Sequence, residues 1–235
     1  AGELFGTNPE RGLYRTTDGG TTWQRVLHLT DSTACIDVVL HPQHPDTLFA
    51  VMWERTRRPY QRQVGGVTSG IWRSYDGGDT WTHLTNGLPG GPTVGRGGIT
   101  ISPANPNRLY AVFANHPGSL IGVYRSNDGG NTWTQTTSPS GSFYSSFGWY
   151  FGSILADPAN QDIVYAQGVT MFRSTNAGAS WSTVFSNAHV DHHAIWINPA
   201  NPAHVITGHD GGINVSYTSG STSIRFVDLP VTQFY

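Results

Sequence analysis

Apolar residues come in short runs joined in pairs by proline breaks. Ile36-Asp-Val-Val-Leu40 passes through His41-Pro42-Gln-His-Pro45 into Leu48-Phe-Ala-Val-Met-Trp53. The same figure recurs as Ile99-Thr-Ile101 into Leu109-Tyr-Ala-Val-Phe113 across Pro103 and Pro106, and as Ile154-Leu-Ala156 into Ile163-Val-Tyr-Ala166 across Pro158. A fourth copy runs from Ile195-Trp-Ile197 into Val205-Ile-Thr207 across Pro199 and Pro202. Runs this short, bounded by turn residues, read as strands, and proline marks the corner between them because it donates nothing to a ladder.

A second phrase follows the first three of these strand pairs and stands once ahead of them. It is Ser/Thr, any residue, Asp, Gly, Gly, any residue, Thr, Trp: Thr16 to Trp23 around Asp18, Ser74 to Trp81 around Asp76, Ser126 to Trp133 around Asp128, and in a degraded form Ser174 to Trp181 around Asn176. Each copy comes after an aromatic-Arg pair, Tyr14-Arg15, Trp72-Arg73, Tyr124-Arg125 or Phe172-Arg173. The phrase predicts a hairpin corner. The carboxylate accepts backbone N–H groups, glycine supplies positive φ, and Trp offers a large apolar face to neighbouring sheets. These acids are therefore structural, since a corner repeats in a fold whereas a catalytic group does not. Positions 18, 76, 128 and 176 are 58, 52 and 48 residues apart, the period of four-stranded propeller blades.

With the proline corner joining first to second strands and the Asp corner joining third to fourth, blades are expected at about 34–85, 97–136, 148–185 and 193–228. A partial blade is expected at 1–28 and the start of a further one at 229–235. The expected fold class is all-β: a β-propeller section of four-stranded antiparallel blades, part of a larger ring of about seven blades. Unpaired strand edges are avoided, so either 229–235 joins 1–28 to complete a fifth blade or the remaining blades lie outside this sequence; the second is what the family resemblance given below implies.

The repeated phrase resembles the Asp-box, or bacterial neuraminidase repeat, of sialidases, sortilin-type domains and xyloglucanase-type glycoside hydrolases, all of which are β-propellers. The chain is also similar, from Gly2-Glu-Leu-Phe-Gly through Asp210-Gly-Gly212 to Gln233-Phe-Tyr235, to a large bacterial family of long sortilin-like repeat proteins of unknown activity. That resemblance implies secretion, to the periplasm or the extracellular space. Sialidase activity is not expected: such enzymes need a Tyr nucleophile with a Glu partner and an Arg-Ile-Pro phrase. No such phrase occurs here, and Glu is confined to Glu3, Glu10 and Glu54.

Composition changes the picture little. At 235 residues the chain is long enough to bury one good core, and 12% charged residues with 29 Gly and 14 Pro suit a turn-rich all-β protein. A formal charge of −2 gives no general pull toward nucleic acid, and no apolar run is long enough for a membrane-spanning helix. Cys35 has no partner for an intrachain disulfide and falls in an apolar run. The opening Ala1-Gly-Glu reads as though already inside a strand, as expected of a processed or partial chain.

Candidate chemistry gathers on the loops opposite the Asp corners. His189-Val-Asp191-His192-His193 precedes one inner strand, and His209-Asp210-Gly-Gly212 forms the second-to-third turn of the same blade. If 189–193 is extended, His189, Asp191 and His193 share one side and offer two imidazoles and a carboxylate to a divalent metal; the alternative is a hydrogen-bonded polar lining. Thr207-Gly-His-Asp210-Gly-Gly212 resembles the turn that bears a catalytic carboxylate in xyloglucanase-type enzymes, without the residue that there separates Asp from Gly-Gly. In those enzymes the second acid that a glycosidase needs comes from another propeller, so the partner of Asp210 is either Asp191 or a carboxylate outside this sequence; otherwise Asp210 caps its turn.

A third cluster, Arg55, Arg57, Arg58 and Arg62 with Tyr60, lies in a long second-to-third connection and suits an anionic group, or is a solvated loop. Trp149 and Tyr150 offer a sugar-stacking platform or belong to the core, and His209 joins the candidate ligand contacts. Two functions remain open: a secreted module recognising a glycan, peptide or partner subunit, and a glycoside hydrolase using Asp210.

Overall fold

The computed structural model describes residues 5–141 and 143–226, and among these every regular element is a strand. The expected inner strand at 229–235 lies outside the described residues, as do Gly2 and Gln233–Tyr235. A two-stranded sheet pairs β1 (Leu13–Arg15) with β2 (Gln24–Leu27). The first four-stranded sheet holds, in order, β3 (Thr33–Leu40), β4 (Leu48–Glu54), β7 (Gly70–Ser74) and β8 (Thr82–Leu84). Within its second-to-third connection sits a separate hairpin of β5 (Thr56–Arg58) and β6 (Gln61–Gln63). The next sheet is β9 (Val94–Ile101), β10 (Leu109–Asn115), β11 (Leu120–Ser126) and β12 (Thr134–Gln135). It is followed by β13 (Ser153–Ala156), β14 (Val164–Gln167), β15 (Phe172–Ser174) and β16 (Ser182–Thr183). The last is β17 (His192–Ile197), β18 (Val205–His209), β19 (Gly212–Ser216) and β20 (Ile224–Phe226). All pairings within these sheets are antiparallel meanders.

Strand alternation shows how the sheets are stacked. On β10, Leu109, Ala111 and Phe113 pack with Phe49, Val51 and Ile71 of the preceding sheet, whereas Tyr110, Val112 and Ala114 pack with Ile154, Val164 and Phe172 of the following one. On β4, Phe49 and Val51 face forward while Ala50 and Met52 face back to Leu27. Tyr165 of β14 similarly faces Ile197 and Val205. Both faces of each central sheet are thus dry, which explains the near-continuous apolar runs. The single core expected from length is replaced by four, one in each gap between consecutive sheets. Radial stacking of this kind makes the chain a section of a β-propeller.

The Asp corners are built alike. Asp76 accepts from the Ser74 hydroxyl (2.7 Å), the Thr80 N–H (2.9 Å) and the Thr80 hydroxyl (2.6 Å), while Gly78 N–H donates to Ser74 Oγ (2.8 Å). Asp18 and Asp128 repeat this pattern, and Asn176 keeps it with one bond reversed, its amide nitrogen donating to Ser180 Oγ (2.9 Å). A fifth corner, Ser216 to Ser223, keeps the same bonds with Thr218 in place of Asp: Gly220 N–H donates to Ser216 Oγ (2.8 Å) and Thr222 N–H to Thr218 Oγ1 (2.9 Å). Sequence inspection misses it because both Asp and Trp are gone.

In the four four-stranded sheets the corner also bonds the first-to-second-strand corner of its own sheet, as Gly77 N–H does to the Asp46 carbonyl (2.9 Å) and Gly129 N–H to that of Asn107 (3.0 Å). Both corner types therefore occupy one end of the sheets, leaving the second-to-third loops and sheet-to-sheet connections at the other. Inner strands approach closely there: a Cβ on Gly98 would lie 1.9 Å from the Gly152 carbonyl oxygen, so only glycine fits.

Candidate functional site

Three segments meet at the end opposite the Asp corners. Asp191 N–H donates to the Val169 carbonyl (3.0 Å), His192 N–H to that of Gly168 (3.0 Å) and Asp210 N–H to that of Asp191 (3.3 Å). The β14–β15 loop, the approach to β17 and the β18–β19 turn are thereby bound backbone to backbone. Gly211 lets the second pair close, since a Cβ there would sit 2.5 Å from His189 Cβ.

This corrects the metal expectation. Asp191 has φ +67°, a left-handed conformation that Asp tolerates, and β17 begins only at His192, so residues 189–191 do not alternate as a strand. His189 Nδ1 contacts its neighbour's Val190 carbonyl (2.9 Å) and the ring stacks toward His209 at 6.3 Å, while His193 Nε2 meets Asp210 instead (2.6 Å). Among the described residues no group of three His, Cys, Asp or Glu side chains converges in a way that would hold a metal ion.

The buried histidines are structural. His209 donates from Nε2 to Asn214 Oδ1 (2.8 Å) and accepts at Nδ1 from Gly211 N–H (3.1 Å), so both ring nitrogens are used and the residue is not presented to a ligand as expected. It also takes over the turn cap that Asp210 was a candidate to supply. His192 is buried beside Thr207 (Nδ1 to Oγ1, 3.0 Å), whose hydroxyl proton goes to the Ala194 carbonyl, so Nδ1 carries the imidazole hydrogen. Burial, then the neighbouring His209, His193 and His189, pull the His192 pKa down to about 4.

With the turn capped by His209, the Asp210 carboxylate is left facing the open side, where His193 holds it. The His193 ring stacks on Phe151 (5.4 Å between centroids, 28°) and meets Tyr150 edge-on (5.5 Å). Asp191 and Asp210 line a cleft of about 410 Å³ together with Phe147, Trp149, Tyr150 and Phe151, with Ser145, Val169 and Val190 completing it. Phe147 and Tyr150 are exposed, Trp149 half-buried and Phe151 buried. Two carboxylates and several aromatic rings in one cleft is a combination that can grip the apolar face of a sugar ring and place charged oxygens at its hydroxyls or glycosidic bond.

Phe147, Phe151 and Ser145 were not among the expected site residues. They sit in turns ahead of β13, with Ser145 and Ser146 at φ +45° and +69°, a left-handed pair that nothing in the local sequence signals. The aromatic density of Phe147-Gly-Trp149-Tyr-Phe151 was the available clue.

The arginine cluster adjoins this cleft. Arg57, Arg58 and Arg62 are exposed on the β5–β6 hairpin, with Pro59 and Tyr60 at its tip. Arg62 lies over the Trp149 ring at 3.9 Å, Arg57 over Phe5 at 5.3 Å and Arg55 over Trp53 at 5.2 Å. Burial lowers the Arg55 pKa, and Arg57, Arg11, Arg96 and Arg62 lower it further by like-charge repulsion. The structural acids Asp18, Asp76 and Asp128 and their counterpart Asn176 stand at the far end, consistent with their corner role.

No family model matches the chain. It is similar to a xyloglucanase of Hypocrea jecorina, 26% identical over 203 residues that cover 77% of this chain and 24% of the relative. It is also similar to a probable oligoxyloglucan-reducing end-specific xyloglucanase of Neosartorya fischeri, 28% identical over 232 residues, covering 84% of this chain and 27% of that one. The chain thus spans about a quarter of the length of the curated relatives it matches. Among solved structures, the GH74 enzyme of Niastella koreensis superposes with a TM-score of 0.53 at 21% identity, over 93% of this chain and 39% of that one, a likeness of fold.

Proposed function

We propose that this chain is a section of an extracellular, glycan-active β-propeller of the xyloglucanase type, in which the aromatic cleft seats a β-glucan chain and Asp210 acts on it. The carrying observation is the Asp210 carboxylate: it is released from turn capping by His209, fixed by His193 at 2.6 Å, and lines the same cleft as Trp149 and Tyr150. Similarity to xyloglucanases over most of the chain supports the choice of substrate class. The aromatic wall would bind sugar faces by stacking. Asp210 would serve as one of the two carboxylates that glycoside cleavage requires, with Asp191 in the same cleft as the candidate second. The blades would be the four four-stranded sheets with β1–β2 as part of another. Further blades of the same ring would cover the apolar side chains exposed on the outermost sheets, among them Trp23, Trp196 and Ile224.

The reading as a pure recognition module uses the same cleft and differs in what Asp210 does. Hydrolysis of a β-glucan panel, xyloglucan included, by the full-length protein separates the two. Asp210→Asn is expected to abolish turnover while leaving glycan binding measurable, and Trp149→Ala to weaken binding. Turnover that survives in Asp210→Asn would remove the catalytic role, and absence of glycan binding by the wild type would remove the glycan reading altogether.

A further inference from the structure

The β5–β6 hairpin presents a concentration of positive charge with no ion pair to a carboxylate among the described residues. Four of the chain's 13 basic residues, Arg55, Arg57, Arg58 and Arg62, fall within eight positions. The acid beside them, Glu54, is occupied: its Oε2 accepts from the Thr68 hydroxyl (2.8 Å) and N–H (3.2 Å), and Oε1 from the Gln63 amide (3.3 Å). Arg15 and Arg108, both at the Asp-corner end, pair with the carboxylates of Asp79 and Asp162. Of the hairpin guanidiniums, Arg62 lies at 3.9 Å over Trp149 and Arg57 at 5.3 Å over Phe5, while Arg58 reaches the Tyr60 hydroxyl (3.5 Å).

Trp149 is shared. One part of it lines the carboxylate-bearing cleft, and another lines a second cleft of about 400 Å³ walled by Arg57, Arg58, Tyr60, Arg62 and His116. A chain of sugar rings stacked on Trp149 would therefore run from Asp210 into an arginine-lined trough. A guanidinium fixed over an aromatic ring keeps its in-plane N–H groups free for an anion, in the fork geometry that fits carboxylate and sulfate oxygens.

We infer that the hairpin selects for an anionic substituent, so that the glycan held in this cleft is an acidic one, carrying uronate carboxylates or sulfate esters. This rests on the glycan reading of the Trp149 cleft and narrows it from neutral to acidic polymers. The arginines line one cleft and the two aspartates the other, with Trp149 common to both, so Arg57 and Arg58 can hold an anionic substituent that does not meet the carboxylates.

The test compares three forms of one β-glucan oligosaccharide, neutral, oxidised to glucuronate at C6, and O-sulfated, for binding to the full-length protein by titration calorimetry. At least one acidic form is expected to bind about tenfold or more tightly than the neutral form, with the preference falling steeply between low and high salt. Comparison of the two acidic arms identifies the anion. The double substitution Arg57→Gln/Arg58→Gln, at exposed positions and checked for an unchanged unfolding midpoint, is expected to remove most of the preference, and Arg58→Glu to reverse it. Equal binding of neutral and acidic forms would overturn the anion assignment and leave the glycan site standing. Acidic preference that persists in both variants would overturn the role of the hairpin, and failure of all three oligosaccharides to bind would overturn the site itself.

Discussion

The Arg73 guanidinium donates to the Gly129 carbonyl at 2.9 Å, reaching from the third strand of one blade into the Asp corner of the next. The relation repeats with Arg15 to Gly77 (2.8 Å) and Arg125 to Ala177 (3.1 Å), which explains why an arginine precedes each of these corners. Arg73 also bonds Asn131 Oδ1 (2.9 Å). It is buried and the Gly129 carbonyl half-buried, so its replacement leaves that carbonyl short of a donor, whereas the exposed Asn131 turns to water. Arg73→Met is expected to cost about 1–3 kcal/mol of unfolding free energy, read as a lower denaturant midpoint. Arg15→Met, at a partly exposed site, is expected to cost less. Equal and negligible effects would remove the interblade role.

How much of this was legible in the sequence follows from which residues carry it. The Asp18, Asp76 and Asp128 corners depend on side chains bonding within a few residues, so a local phrase contains them entirely. The fifth corner at Ser216 keeps only the hydroxyl part of that phrase, and it emerges through Thr218 once its bonds are seen. The cleft depends on contacts between positions far apart in the chain, such as Asp191 with Val169, and on a left-handed bend at Asp191 that strand alternation does not anticipate. The histidine cluster was visible as composition. Its division into structural His192 and His209 and the Asp210-holding His193 was not, because that depends on which ring nitrogens find backbone or amide partners.

Acid should destabilise the fold through His192. Its folded pKa, about 4, lies below the ordinary 6.5, so the unfolded chain binds the proton first. The stabilisation is fully present above pH 6.5, is lost progressively as pH falls toward 4, and amounts to at most about 3 kcal/mol. Burial lowers His41 and His83 in the same direction. His192→Gln is expected to flatten the dependence of the unfolding midpoint on pH across this window. An unchanged slope would mean that His192 is not held neutral.

At the corners the sign is opposite. Hydrogen bonds from the Thr80 hydroxyl and N–H and from Ser74 bring the Asp76 pKa to about 2, below its ordinary 3.8. The contribution of this carboxylate is present above pH 3.8 and is lost as pH falls through 2. Carboxyl chemical shifts followed by NMR should place the Asp76 midpoint near 2, and Thr80→Val should move it toward 3.8 by removing the hydroxyl donor. A midpoint that ignores the substitution would refute the hydrogen-bond cause.

The cleft should also be sensitive to a residue that touches no ligand. Gly211 sits between the Asp210 turn and the His189 segment, and a methyl group there would lie 2.5 Å from His189 Cβ and 3.0 Å from Arg225 Nη2. The His189 Cβ is fixed to backbone, so the two segments must separate, and the bond from Asp210 N–H to the Asp191 carbonyl is the connection that yields. Gly211→Ala is expected to cost about 1–3 kcal/mol as an overpacked site and to reduce glycan turnover, with both carboxylates and the whole aromatic wall still present. Pairing it with His189→Gly distinguishes this from a general loss of folding, because that second change removes the colliding Cβ. Recovery of turnover in the double variant would show that the two aspartates work only while their backbones are bound. Failure to recover would place the effect of Gly211 elsewhere in the turn.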